Sequence, residues 1–373
     1  MKELIGGAKN SVAHFFYVRI FRRIVFLIDP EKAHAGIVSL GKKLGKYRLA
    51  RKITRVLFNY QNPILSQTIC GIYFSNPVGL SAGFDKDAEL ADIIPEVGFG
   101  FMEIGSITGE KCEGNPKPRF WRLKKSKSIL VYYGLKNDGA ETIAKRLLGE
   151  KFKIPIGVNI AKTNSPDTAE KEAGAADYLK AYQELGAIGD YFTINISCPS
   201  AYGGCPFTQT ENLEFLLSKI NKLPRKKPVF IKLSPDLADS EIDGIIELGR
   251  KFKIDGFVCS NLTKKRDNPK ILDGNFPDCG GMSGKIVEEL SNRLIEYIYR
   301  KCGKEFVIIG VGGIFSAEDA YKKIRLGSSL VQLITGMIYE GPQLIGEINR
   351  GLAGLLKRDG YKNISEAVGA DVK

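Results

Sequence analysis

Histidine is almost missing from this chain. His14 and His34 are the only two in 373 residues, and none follows residue 34. That excludes imidazole acid–base chemistry and histidine-ligated metals from the main body. The seven cysteines (70, 112, 198, 205, 259, 279 and 302) form no C-x-x-C pair. Their odd number, and positions such as Cys259 in the apolar run Phe257-Val258-Cys259, exclude a disulfide framework and a zinc site. Free thiols in a reducing compartment are expected, and no metal. Acidic residues are scarce at one end: residues 1–60 hold 13 Lys/Arg but 3 Asp/Glu, so +10 of the net +13 lies there. The rest is close to neutral, which excludes a nucleic-acid surface spread over the body, and no recognition motif for one is present.

What is present suits a barrel with an appendage. Apolar residues make up 43%, ample for a core at this length. Residues 15–28 are strongly apolar apart from Arg19, Arg22 and Arg23, spaced to share one helical face. A spanning helix needs about 20 apolar residues and tolerates central arginines poorly. A helix lying in the membrane interface, arginines toward anionic headgroups, fits better. Asp29-Pro30 then reads as an N-cap with proline at the first helical position. The next helix carries an apolar seam at Ile37, Leu40, Leu44 and Tyr47, with Lys42, Lys43, Lys46, Arg48, Arg51, Lys52 and Arg55 crowding its other faces. Its basic continuation and the lack of a small-residue cleavage site argue against a secretory signal. Residues 1–60 are therefore expected as a basic amphipathic module at the cytoplasmic face of a membrane, and 61–373 as the body. A helix pair packed on its own core is the plainer alternative.

Eight short apolar runs follow, at 77–82, 99–105, 154–160, 191–196, 229–233, 256–260, 307–311 and 330–335, separated by helix-length segments. The pattern predicts a (β/α)8 TIM barrel, with an inserted lobe in the long 105–154 interval. Polar or small residues recur at the strand ends: Gly83, Ser106, Asn159, Asn195, Lys232, Asn261 and Gly312-Gly313. Functional groups of such barrels collect at this edge. Gly310-Val311-Gly312-Gly313 after the seventh run suits a phosphate loop. Lys232 projects a charge that needs an anionic or electron-rich partner, and a flavin supplies one. Cys198, in Asn195-Ile196-Ser197-Cys198-Pro199, ends the fourth run. With no imidazole nearby its thiol is the best base near neutral pH, its ordinary pKa of about 8.5 being open to further lowering. Most free cysteines are small buried hydrophobes, and position alone does not separate the two roles.

Together these residues resemble the dihydroorotate dehydrogenase family, in its membrane-associated, quinone-linked class. The resemblance rests on Ser81-Ala82-Gly83-Phe84-Asp85-Lys86, Glu103-Ile104-Gly105-Ser106-Ile107-Thr108, Gly114-Asn115-Pro116-Lys117-Pro118-Arg119, Gly157-Val158-Asn159, Lys232-Leu233-Ser234-Pro235-Asp236-Leu237, Gly281-Met282-Ser283-Gly284-Lys285 and the Gly312-Gly313 loop. Asp29-Pro30-Glu31-Lys32-Ala33-His34 resembles that class's membrane segment. The resemblance implies an FMN enzyme that oxidises dihydroorotate to orotate in pyrimidine biosynthesis. It places FMN against Ala82, Gly83, Lys86, Ser106, Asn159 and Asn195, and against Lys232, Ser260, Gly284, Gly313 and Thr335. Cys198 becomes the base. Lys86, Tyr133, Gly134, Leu135, Asn195, Ser200, Asn261 and Leu262 surround the substrate, and His34 and Arg122 meet a membrane quinone.

The chain departs from its class around the substrate. Cys198 stands where quinone-linked members carry serine, and Leu135 where they carry an aromatic residue. Of four ring-binding asparagines it keeps Asn195 and Asn261, with Val131 and Ser200 at the other two positions and Leu262 in place of a hydroxyl residue. Two alternatives therefore stay open: a flavin oxidoreductase of this family acting on a less polar ring, or a low-activity flavin-binding module at the membrane.

Overall fold

Each of the eight apolar runs supplies one strand of a closed parallel barrel in the computed structural model, as the (β/α)8 reading expects. The structure describes residues 10 and 12–372. Residues 1–9 and Ser11, which belong to the expected 1–60 module, and Lys373 lie outside the described residues. The barrel strands are β1 (Val78–Leu80), β2 (Phe101–Ile107), β3 (Ile156–Ile160), β4 (Tyr191–Asn195), β5 (Val229–Leu233), β6 (Gly256–Cys259), β7 (Val307–Val311) and β8 (Leu330–Leu333). They pair in chain order, and β8 closes on β1. With helices outside and packed side chains inside, both faces are buried, so the strands read as continuous apolar runs.

Alternation along the strands stacks the interior in layers. Phe101, Tyr191, Phe230, Val258, Ile309 and Leu330 form an apolar floor, closed from below by Phe74 of a small antiparallel hairpin (Gln67–Ile69 with Ile72–Phe74). Gly157 is required here, because a Cβ at that position would stand 2.2 Å from the Tyr191 ring. Two residues further along the strands, the interior turns polar at Glu103, Asn159, Thr193, Lys232 and Gln332, all buried. The next positions reach the mouth.

The interval after β2 contains the expected lobe. Strand Phe120–Leu123 pairs antiparallel with Ser128–Val131, which also pairs with Gly281–Met282.

The N-terminal segment lies on the barrel mouth, with two differences from the sequence reading. Helix α1 (Pro30–Lys46) is capped by Asp29, whose carboxylate accepts from the Glu31 and Lys32 amides at 3.1 and 3.0 Å. The helix does not continue to Arg55: Tyr47 turns extended and a separate helix α2 (Arg48–Phe58) begins. The proposed seam divides accordingly, since Ile37 and Leu44 pack on the core while Leu40 and Tyr47 are exposed. The three-arginine face also splits. Arg22 turns inward and donates to the Tyr339 carbonyl at 2.7 Å, whereas Arg19 and Arg23 stay exposed. A π-helical stretch, Tyr17–Phe21, precedes Arg22, and Tyr17 donates to the Ile338 carbonyl at 2.9 Å. Among the described residues no helix is long and apolar enough to cross a membrane.

Candidate active site

A cavity of about 590 Å³ begins at the C-terminal ends of the barrel strands and runs outward beneath the N-terminal helices. Its inner wall carries Asn195, Lys232 and Ser260 from β4, β5 and the end of β6; its outer wall carries Tyr17, Phe21, Val25 and Phe26. Nearly every residue selected from the sequence borders it. Cys198, Lys86, Tyr133, Gly134, Leu135, Ser200, Asn261 and Leu262 do so, as do Ala82, Gly83, Ser106, Gly284, Gly313 and Thr335. His34 and Arg122 border the outer part. The exception is Asn159, fully buried behind Ser106, whose hydroxyl donates to it.

Lys232 is buried, and among the described residues nothing salt-bridges or hydrogen-bonds its ammonium. Desolvation lowers its pKa, with the nearby Glu103 carboxylate acting in the opposite direction. Such a cation calls for an anionic or electron-rich ligand. Gly313, at φ +75, follows β7, and a Cβ there would sit 2.4 Å from Glu288 Cβ. Beside it Ser283 and Thr335 share a hydroxyl–hydroxyl hydrogen bond of 2.8 Å. A lysine with no direct partner among the described residues and the glycine-backed rim fit a flat, phosphate-bearing heteroaromatic group.

Lys86 lies 4.1 Å from the centre of the Tyr133 ring and donates to the Gly83 carbonyl at 2.6 Å. Burial brings its pKa down to about 8, against the pull of Asp87 and Asp85. Arg119 stacks on the same ring at 4.4 Å.

Cys198 reverses one expectation. Burial pushes its thiol up to about 12 instead of lowering it, against the Ser200 backbone amide and the Lys162 and Lys232 charges, which act downward. Its loop is braced to the lobe, as Asn115 donates to the Ser200 carbonyl at 2.9 Å and Asn164 donates to the Asn115 side-chain carbonyl at 2.9 Å. Ser200 spends its hydroxyl on the Val131 carbonyl at 3.2 Å.

At the outer end, His34 has its pKa brought down to about 4 by burial, and then by Lys86. The ring is thus neutral at physiological pH. Nε2 lies 2.8 Å from the Phe84 carbonyl and must donate to it, which leaves Nδ1 as an acceptor. Arg122 donates to the Ile28 carbonyl at 2.7 Å and stacks on Phe26 at 4.6 Å.

A phosphate-suited rim, a buried lysine and a thiol at the mouth of a parallel eight-stranded barrel define a cofactor-dependent oxidoreductase site. Residues 64–356 match the sequence profile of the dihydroorotate dehydrogenase family. A dihydroorotate dehydrogenase (quinone) of Natronomonas pharaonis is 37% identical over 95% of this chain and 99% of that protein. One of Haloarcula marismortui is 39% identical over 95% and 99%. The dihydroorotate dehydrogenase of Eimeria tenella, crystallised with ferulenol, superposes with a TM-score of 0.81 at 29% identity, over 92% of this chain and 96% of that one. The chain belongs to the dihydroorotate dehydrogenase family.

Sequence reasoning did not single out Glu103, Ser283, Asn115 or Asn164 individually. Glu103 had a usable signal: it lies two residues from Phe101 on β2, on the strand's inward face. The Asn115 and Asn164 braces had none, because they depend on loops distant in sequence.

Proposed function

We propose that this protein oxidises dihydroorotate to orotate and delivers the two electrons to a membrane quinone, with FMN between them. When bound, FMN would supply the acceptor for a hydride from the substrate's carbon–carbon unit and a two-electron relay to the quinone. The chain's own groups do the rest. Cys198 takes the proton from the adjacent carbon. Asn195, Asn261, Lys86 and the backbone near Tyr133, Gly134 and Leu135 orient the ring, with Ser200 and Leu262 beside it. Lys232 and the Gly284 and Gly313 backbones hold the cofactor, together with Ala82, Gly83, Ser106, Ser260 and Thr335. Asn159 acts through Ser106.

The carrying observation is the continuity of the cavity from Cys198 to His34 and Arg122. One end suits a polar ring; the other is lined by apolar side chains, as a long-chain quinone requires. Residues 1–60 serve as the docking module, the chain being peripheral at the cytoplasmic face of an anionic membrane, with no nucleic-acid partner. Among the described residues 18 large apolar side chains are left exposed, and 14 of them lie between Val12 and Leu57. Arg19, Arg23 and the lysines of α1 stand beside them for anionic headgroups.

A second reading has one observation behind it. Val131 and Leu262 put apolar atoms on the inner wall, and the Ser200 hydroxyl is already bonded. A less polar cyclic substrate would suit that wall. Anaerobic mixing decides: dihydroorotate should bleach the flavin and yield orotate, and a quinone should restore the colour. An FMN-loaded protein that dihydroorotate leaves yellow refutes the first reading.

A further inference from the structure

Glu103 is a buried carboxylate of the barrel interior, in the polar layer that also holds Lys232. Three donors converge on it: Asn159 Nδ2 at 2.7 Å, Gln332 Nε2 at 2.8 Å and the Tyr191 hydroxyl at 3.4 Å. Gln332 keeps its N–H on Glu103 although its own carbonyl then has no partner among the described residues. Leaving a buried acceptor unpaired is costly, so the contact to Glu103 outweighs it, as expected where a carboxylate draws several donors.

A carboxylate gives no hydrogen, and this fixes the direction of each neighbour. Asn159 must present Nδ2 to Glu103, so its carbonyl faces Ser106. The Ser106 hydroxyl therefore donates to Asn159 Oδ1. Asn195 Nδ2 in turn donates to Ser106 Oγ at 2.9 Å. From the other end, Asn195 Oδ1 accepts from the Ser197 amide at 3.2 Å and from Asn261 Nδ2 at 3.0 Å. A hydroxyl has one hydrogen and two lone pairs. Ser106 has used the hydrogen and one lone pair, and a single lone pair remains where it borders the cavity.

We infer that Glu103 is a positioning residue that makes Ser106 a hydrogen-bond acceptor toward the bound cofactor, so that the group opposite Ser106 is a ring N–H. FMN carries such an N–H on the pyrimidine part of its ring system. The inference rests on the flavin reading, but not on the identity of the substrate. Without the carboxylate, Asn159 is free to turn over and offer Nδ2 to Ser106, whose hydrogen would then point at the cofactor's N–H.

The test is FMN binding by the full-length apoprotein, followed by fluorescence quenching and by the flavin absorption band. Glu103→Gln should weaken FMN binding about 10-fold, the effect of one misdirected hydrogen bond, and shift the band. Adding Asn159→Asp should restore binding to within about threefold. The carboxylate introduced at position 159 would accept from the new amide at position 103 on one side and from the Ser106 hydroxyl on the other. Wild-type affinity and spectrum in Glu103→Gln would overturn the inference, as would a double variant no better than the single one. If Glu103→Gln does not fold, Ser106→Ala decides: about 10-fold weaker binding is expected, and unchanged binding overturns the proposal. A wild type that takes up no FMN defeats it together with the cofactor reading. A yellow wild type that dihydroorotate cannot bleach defeats only the substrate reading, and the FMN titrations still decide this one.

Discussion

Arg119 of the lobe grips Glu31 of α1 through two hydrogen bonds, Nη2 to Oε1 at 2.6 Å and Nε to Oε2 at 3.0 Å. The same guanidinium stacks on Tyr133, whose ring also carries Lys86. The N-terminal helix is thereby tied to side chains that line the cavity. Both partners are largely buried, and the Arg119 contact holds the Glu31 carboxyl below its usual pKa. A depressed folded pKa contributes stability above the unfolded value, roughly 4.3, and loses it as pH falls through the folded one. Glu31→Gln should therefore cost about 1.5–3 kcal/mol in urea unfolding at pH 7. The gap should narrow on acidification below pH 4. An equal gap at both pH values would contradict the ion pair's role.

Because burial raises the Cys198 pKa, its reactive thiolate is scarce at neutral pH. Flavin reduction by dihydroorotate should rise close to tenfold per pH unit across the range where the protein is stable, without levelling near pH 8. Cys198→Ala should keep FMN and slow reduction about 10²–10⁴-fold. Stopped-flow traces measure both. A plateau below pH 8, or an alanine variant of normal speed, would remove Cys198 from the base role.

The exposed apolar residues of α2, Leu49, Ile53 and Val56, are spaced to share a helical face. Replacing Leu49 and Ile53 by Glu should weaken binding to anionic vesicles more than tenfold, since each buried side chain of this size is worth about 1.5–3 kcal/mol. Wild-type binding should fall as salt rises. Flavin reduction by dihydroorotate should not change. Undiminished vesicle sedimentation of the double variant would leave α2 without a membrane role.

At the substrate wall, Val131→Asn should tighten dihydroorotate binding or speed flavin reduction, with a gain approaching ~1–3 kcal/mol. Ser200→Asn should couple with it, because the Ser200 hydroxyl bonds to the Val131 carbonyl and the two positions touch. Reduction kinetics of the four-member cycle give both quantities. Efficient wild-type turnover that either substitution impairs would show that the present wall already satisfies the ring.

The barrel was legible because strands buried on both faces are predominantly apolar, so runs such as 307–311 stood out unaided. The strand-end residues picked from the sequence border the cavity, apart from Asn159, since strand ends in one layered barrel share a rim. Asp29-Pro30 announced the start of α1 through local capping chemistry. Periodicity could not reveal the break at Tyr47, because α2 continues the same basic, amphipathic composition. Nor could it tell that Arg22 turns inward: that depends on the Tyr339 carbonyl, 317 residues away in sequence. The Cys198 thiol shows the same limit most sharply. Its place at the end of β4 is a local matter of sequence, but its pKa depends on how much water the folded walls exclude. Desolvation is a property of the assembled cavity, and only the tertiary structure decides it.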